Sequence, residues 1–341
     1  MCNCGNNFLC NIFIAVELYF ISRSRMDFRN LGIGVNLACV EFFTDTFCNA
    51  DILAAKSQKN NFHTGGNFIL FFCVLVHAVN IGRGGNFLMF EKILAVDEIS
   101  IAYGGREIVS GVSFGVKHGE ILVIVGESGS GKSTILKAIG GILGSNGAIM
   151  DGQIFFRDIE ITNAPESIRR KLAGESIGYI FQNATASFCP IRKIGEQIFE
   201  SVKAHKNWSR EEFLQRAKII MQNINLEETA LEKYPFQLSG GMGQRAGILA
   251  AMILEPQILL ADEPTSALDP ETQSNVIDEF LKLRARYGVS IVMVTHNLEV
   301  AKYIADKILI LKSGKMIEYG TAAEIFNFPQ EEYTKELLNV C

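Results

Sequence analysis

From residue 89 onward, apolar residues gather into short runs separated by polar stretches of helical character. Ile121-Leu122-Val123-Ile124-Val125 has no polar interruption, the pattern of a strand buried on both faces of a parallel sheet. A Gly-rich turn and a helical stretch from about Lys132 to Ile142 follow it. Ile177 to Phe181 is another short apolar run, and Glu211 to Asn223 has helical character. Ile258-Leu259-Leu260-Ala261 predicts a second buried strand and Val289 to Val294 a third. Asp269-Pro270-Glu271 joins an N-cap residue, a proline at the first helical position and an acid in the first turn. That helix is predicted to run to about Tyr287, with Gly288 as its stop. Lys307 to Leu311 and Lys315 to Tyr319 flank Ser313-Gly314 and predict a hairpin. Strands alternating with helices imply an α/β domain whose parallel sheet is covered on both faces.

Residues 1–88 break the pattern. They hold six of the eight Cys and twelve of the 24 Phe, none of the seven Pro, and few charges. Gly65-Gly66-Asn67-Phe68-Ile69-Leu70-Phe71 is nearly repeated as Gly84-Gly85-Asn86-Phe87-Leu88-Met89-Phe90. Cys2-x-Cys4 followed by Cys10 lacks the paired spacing of a zinc site. Phe68 to Val79 falls short of the roughly 20 apolar residues a spanning helix needs. No sustained period of 2 or 3.6 runs through the segment. Residues 1–88 are therefore expected not to form a folded domain. Residues 89–341 are expected to be the functional protein, starting at or near Met89. A membrane-associated extension is the other reading of the first segment.

Across all 341 residues, 48% are apolar and 20% charged, which excludes a disordered, collagen-like or coiled-coil chain. The net charge of −5 argues against nucleic acid as a partner, because phosphate neutralisation needs clustered Lys and Arg.

Two segments carry chemistry. Gly126-Glu127-Ser128-Gly129-Ser130-Gly131-Lys132-Ser133, followed by Thr134, fits the phosphate-loop pattern between a buried strand and a helix. Its glycines let backbone N–H groups turn toward phosphate oxygens, and the helix start adds partial positive charge. Lys132 is suited to the β- and γ-phosphates and the Ser133 hydroxyl to Mg²⁺. The second segment is Leu259-Leu260-Ala261-Asp262-Glu263-Pro264, an apolar strand ending in two carboxylates. Asp262 is suited to holding Mg²⁺ and Glu263 to orienting or deprotonating an attacking water.

Together these segments resemble an ABC-type ATPase. Leu238-Ser239-Gly240-Gly241-Met242-Gly243-Gln244-Arg245 resembles that family's signature, and Ser266-Ala267-Leu268-Asp269 its D-loop. Gln182 resembles the Q-loop glutamine, His296 the switch histidine, and Tyr103 the aromatic that stacks on adenine. The resemblance spans about residues 93 to 320. It implies a mostly parallel core sheet, an antiparallel β subdomain and a small helical subdomain. It also implies ATP with Mg²⁺, the metal held by Ser133 and Asp262 and sensed by Gln182, and catalysis by Glu263, Gln182 and His296. Ser239, Gly240, Gly241 and Met242 are then expected to meet ATP bound to a second ABC subunit, because this chain carries one set of motifs.

Tyr234-Pro235-Phe236-Gln237-Leu238-Ser239-Gly240-Gly241-Met242 and Glu332-Tyr333-Thr334-Lys335-Glu336-Leu337-Leu338 resemble the dipeptide, oligopeptide and nickel importer branch. Phe181 to Pro190 looks like a drifted form of that branch's stretch after the Q-loop glutamine. Gly243 departs from it, standing where a basic residue is usual. The branch implies separate permease subunits received around Gln182 to Glu200, a solute-binding protein, and a peripheral position on the cytoplasmic membrane face. A soluble ABC ATPase acting on ribosomes or DNA is the alternative. A single motif set, and only 106 residues between Lys132 and Ser239, speak against it.

Overall fold

The computed structural model describes residues 92–266 and 268–339. The expectations for residues 1–88 and for a start near Met89 lie outside these residues. Strands β1 (Lys92–Tyr103) and β2 (Arg106–Lys117) lead into β3 (Ile121–Val125) and helix α1 (Lys132–Ile139). Strands β4 (Gly147–Phe156) and β5 (Ile159–Glu160), helix α2 (Glu166–Glu175) and strand β6 (Ile177–Ile180) follow. A helical stretch then carries α3 (Ile194–Lys203), α4 (Arg210–Asn223) and α5 (Gly240–Met252). Next come β7 (Ile258–Asp262), α6 (Pro270–Tyr287), β8 (Ser290–Thr295) and α7 (Leu298–Ile304). The last described elements are β9 (Lys307–Lys312), β10 (Lys315–Thr321), α8 (Ala322–Asn327) and α9 (Glu332–Asn339).

Six strands form one sheet in the order β10-β9-β3-β8-β7-β6. All its pairings are parallel except the β9–β10 hairpin. Every residue of β3, β7 and β8 is buried, as their unbroken apolar runs require. Alternate side chains of β3 feed two cores. Ile121, Val123 and Val125 pack with the helices α3 to α6, whereas Leu122 and Ile124 pack with β1, β2 and α1. The sheet is thus covered on both faces. A second, antiparallel sheet has the order β2-β1-β4-β5. Phe213, Ala217, Ile220 and Met221 form the buried stripe of α4, which begins in a capping box between Ser209 and Glu212.

Several boundaries shift. Helix α1 stops at Ile139 rather than Ile142, because Gly140 and Gly141 end it and Ile142 turns outward, 40% exposed. Strand β8 spans Ser290–Thr295, one residue later than its apolar run. The helix started by Asp269-Pro270 has the predicted limits, and Asp269 Oδ1 accepts the Thr272 N–H at 3.0 Å.

Candidate nucleotide site

The site is assembled at the carboxyl ends of β3, β7 and β8, where ligands collect in open α/β sheets. The turn after β3 is shaped by two close approaches. A Cβ at Gly126 would collide with the Leu311 carbonyl oxygen. Gly131 has φ +101° and its Cβ would lie 2.9 Å from Val109 Cγ2, so no larger residue fits the start of α1 there. Gly314 ties the loop to the β9–β10 turn, its N–H donating to the Ser130 carbonyl at 2.9 Å. The Ser130 hydroxyl is buried and has no hydrogen-bond partner in the protein, while Glu127, Ser128 and Gly129 are exposed.

Lys132 is only 4% exposed. Its ammonium donates to the carbonyls of Gly126 at 2.8 Å and Glu127 at 2.7 Å. Burial pushes its pKa down, and the nearby carboxylates of Glu263, Asp262 and Glu127 pull it back up. A cation held by two carbonyls at the mouth of a loop is well suited to exchange them for phosphate oxygens. The Ser133 hydroxyl donates to Asp262 Oδ1 at 2.6 Å, joining the start of α1 to the end of β7. Asp262 also accepts a longer bond, 3.4 Å, from the Tyr179 hydroxyl. Tyr179 was not singled out in the sequence: it sits in an apolar strand, and nothing local marks it as facing a carboxylate 83 residues away. Burial, then Asp262 and the neighbouring Tyr103, raises its phenol pKa, so it remains a donor.

Glu263 follows at a bend. Its φ is +43°, unusual for a residue with a side chain, and its own N–H donates to the Val294 carbonyl at 2.9 Å. The bend turns the carboxylate toward two partners. Gln182 Nε2 donates to Oε2 at 3.1 Å, and His296 Nδ1 lies 3.3 Å from Oε1. Three residues spread over 115 positions of chain thus share one carboxylate at the end of the sheet. Gln182 and His296 are exposed, while Glu263 is half-buried.

Other residues singled out in the sequence stand elsewhere. Tyr103 ends β1, opposite Arg106 in β2 and Gly147 in β4. Ser239 caps α5, its Oγ accepting the Met242 N–H at 3.3 Å. Ser239 and Gly240 are exposed, and a Cβ on Gly240 would meet only Leu268. A Cβ on Gly241 would lie 2.9 Å from Thr272 on α6, so the signature and D-loop segments abut within one chain. Asp269 spends both carboxylate oxygens on Thr272, which lowers its pKa.

The ABC transporter family matches residues 109–266. The dipeptide transport ATP-binding protein DppD of Lactococcus lactis subsp. cremoris is 38% identical over 256 residues, covering 73% of each chain. The oligopeptide transport ATP-binding protein OppD of Escherichia coli is 36% identical, covering 73% of this chain and 75% of that protein. The metal-staphylopine import ATP-binding protein CntD of Staphylococcus aureus is 35% identical, covering 72% and 92%. Among solved structures, a dimeric ATP-binding cassette bound to ADP and phosphate superposes with TM-score 0.61 at 29% identity, covering 67% of this chain and 98% of its own. CbiO1 of Clostridium perfringens, part of an ABC transporter complex, gives the same TM-score at 27% identity, covering 70% and 92%. With the phosphate loop, the acidic strand end and these likenesses together, the chain belongs to the ABC transporter family, as an ATP-binding, ATP-hydrolysing subunit.

Proposed function

We propose that this subunit powers uptake of small peptides or a chelated metal through separate permease subunits, at the cytoplasmic face of the membrane. The observation that carries the reading is the meeting of Gln182 and His296 on Glu263, beside the Ser133–Asp262 pair. The phosphate loop binds ATP through backbone N–H groups and Lys132, and Tyr103 provides a face for the base. Ser133 and Asp262 offer hard oxygen atoms of the kind Mg²⁺ accepts, and the unpartnered Ser130 hydroxyl leaves a donor for phosphate. When bound, Mg²⁺ neutralises charge on the phosphates. Glu263 takes the proton of the attacking water. Gln182 orients that water, and His296 fixes the carboxylate through its opposite oxygen.

The exposed start of α5 supports a two-subunit site. Ser239, Gly240, Gly241 and Met242 present a helix N-terminus, suited to the γ-phosphate of ATP held by a second ABC subunit. The solute reading rests on the relatives, whose names give dipeptide, oligopeptide and metal-staphylopine transport. No helix among the described residues is long and apolar enough to cross a membrane, consistent with permeases on other chains. The segment from Gln182 to Glu200 is the proposed docking surface for them, and Ile191 there is 82% exposed.

The test is cysteine crosslinking in the assembled transporter, with native cysteines, including the exposed Cys189, replaced first. Ser187→Cys and Ile191→Cys are expected to crosslink to a permease. Crosslinks from Lys315→Cys alone would contradict the docking surface.

A further inference from the structure

The Glu332-Tyr333-Thr334 segment has no part in the chemistry above, yet its helix reaches the phosphate loop. Glu318 on β10 accepts the N–H groups of Gln330 at 2.9 Å and Glu331 at 3.3 Å, which fixes where α9 begins. Lys335 turns back onto the Gln330 carbonyl at 2.9 Å. Thr334 is fully buried, and Tyr333, Leu337 and Leu338 pack against the larger of the two cores. The helix is therefore anchored on one side. On the other, the Tyr333 hydroxyl donates to Glu127 Oε1 at 3.2 Å, across 206 positions of chain. The Lys312 ammonium sits 3.9 Å from the centre of the Tyr333 ring, so the ring is held from its face as well.

Glu127 is an awkward residue for its place. Its carboxylate is next to a loop built to receive a polyanion, and like charges there oppose binding. Its carbonyl meanwhile holds Lys132 at 2.7 Å. When Lys132 turns to phosphate, the Glu127 carbonyl keeps only the Ser130 N–H at 3.2 Å, and the Tyr333 hydroxyl is what holds its carboxylate.

We propose that Tyr333 is a positioning residue for nucleotide binding: from α9 it ties down the Glu127 carboxylate and limits how far that charge can swing toward bound ATP. Residues 332–339 thereby become part of the nucleotide site's support, and any partner that moves α9 alters ATP affinity without touching ATP. Burial and the adjacent Glu127 raise the phenol pKa, so Tyr333 remains a hydrogen-bond donor throughout the physiological range. The proposal rests on the phosphate loop being the ATP site.

The experiment measures ATP affinity by equilibrium titration, and kcat and KM in the assembled complex, for the full chain. Tyr333→Phe keeps the ring over Lys312 and removes the donor. It is expected to weaken ATP binding roughly three- to tenfold, the worth of one hydrogen bond, with kcat at saturating ATP unchanged. Glu127→Gln removes the charge, and adding Tyr333→Phe to it is expected to change affinity by much less than Tyr333→Phe does alone. Leu337→Ala loosens the packing of α9 while leaving the hydroxyl, and any affinity it loses is expected to be largely absent when Tyr333→Phe is already present. Unchanged affinity in Tyr333→Phe, full additivity with Glu127→Gln, or an equal further loss when Leu337→Ala is added to Tyr333→Phe would each overturn the proposal. Failure of the underlying reading looks different: the unmodified chain would then bind no ATP, or Lys132→Ala would bind it as tightly as the unmodified chain.

Discussion

The end of the central sheet and the start of α5 carry motifs of one family, yet they are built in opposite ways. At the sheet end most polar groups are already engaged. Lys132 holds two carbonyls, Ser133 holds Asp262, and Glu263 is contacted by Gln182 and His296. At the start of α5, Ser239 and Gly240 are exposed, and Ser239 spends its hydroxyl only on its own helix. The first region is preorganised by its own chain. The second is presented outward, as the proposed pairing with another subunit requires. The contrast separates binding from hydrolysis: the first region is expected to hold ATP by itself, the second to matter only when two subunits meet.

Substitutions can break that separation. The largest binding effect is expected from Lys132→Ala. It removes a buried cation proposed to exchange its two carbonyls for phosphate oxygens, so ATP affinity is expected to fall roughly 10- to 100-fold in a titration of the single chain. Gly240→Asp is its complement. A Cβ there meets only Leu268 at 3.7 Å, and an acid in the first turn suits the helix, so folding and single-chain ATP affinity stay as they were. Hydrolysis in the assembled complex is expected to collapse, because in the proposed two-subunit site the carboxylate would face the γ-phosphate of ATP held by the second subunit. Loss of ATP binding by the single chain would show that the two regions are not separate.

Smaller effects concern how the regions are joined. Glu279 on α6 is fully buried, and Arg245 of the signature helix reaches it at 2.9 Å. Removing one member of such a pair, as in Arg245→Met, is expected to cost about 3–5 kcal/mol in thermal or chemical unfolding. Burial raises the Glu279 pKa despite Arg245, so the folded state takes up this proton more readily than the unfolded chain. Its contribution to stability therefore grows as pH falls toward the ordinary carboxylate range and is lost as pH rises. Glu279→Gln is expected to lose ground against the unmodified protein as pH is lowered from 7 to about 5. Gly243→Val brings a Cβ onto the Thr185 hydroxyl, just beyond Gln182, and is expected to destabilise by about 1–3 kcal/mol.

The two regions also differ in how far they could be read from sequence. The phosphate loop, the acidic strand end and the helix from Asp269 to Gly288 were legible because their signals are local: an unbroken apolar run, a loop pattern, a cap followed by proline. The antiparallel sheet was expected only through family resemblance. In β1 the register slips between Lys92 and Leu94 and again between Val96 and Ile99, so burial loses its two-residue alternation. Tyr179 on Asp262 and Tyr333 on Glu127 were not legible, since each joins residues far apart through packing that no local pattern encodes. Gly243 was noticed as a departure, but its reason, the close approach of Thr185, needed the fold.

The most direct test of Glu263 as the hydrolytic group, beside a loop that binds without it, is ATP turnover and retention by Glu263→Gln in the assembled complex. The change keeps the shape and removes the base. ATP is expected to bind with unaltered affinity and persist, while turnover falls roughly 10²- to 10⁴-fold, the usual worth of a general base. Turnover at the unmodified rate would contradict it.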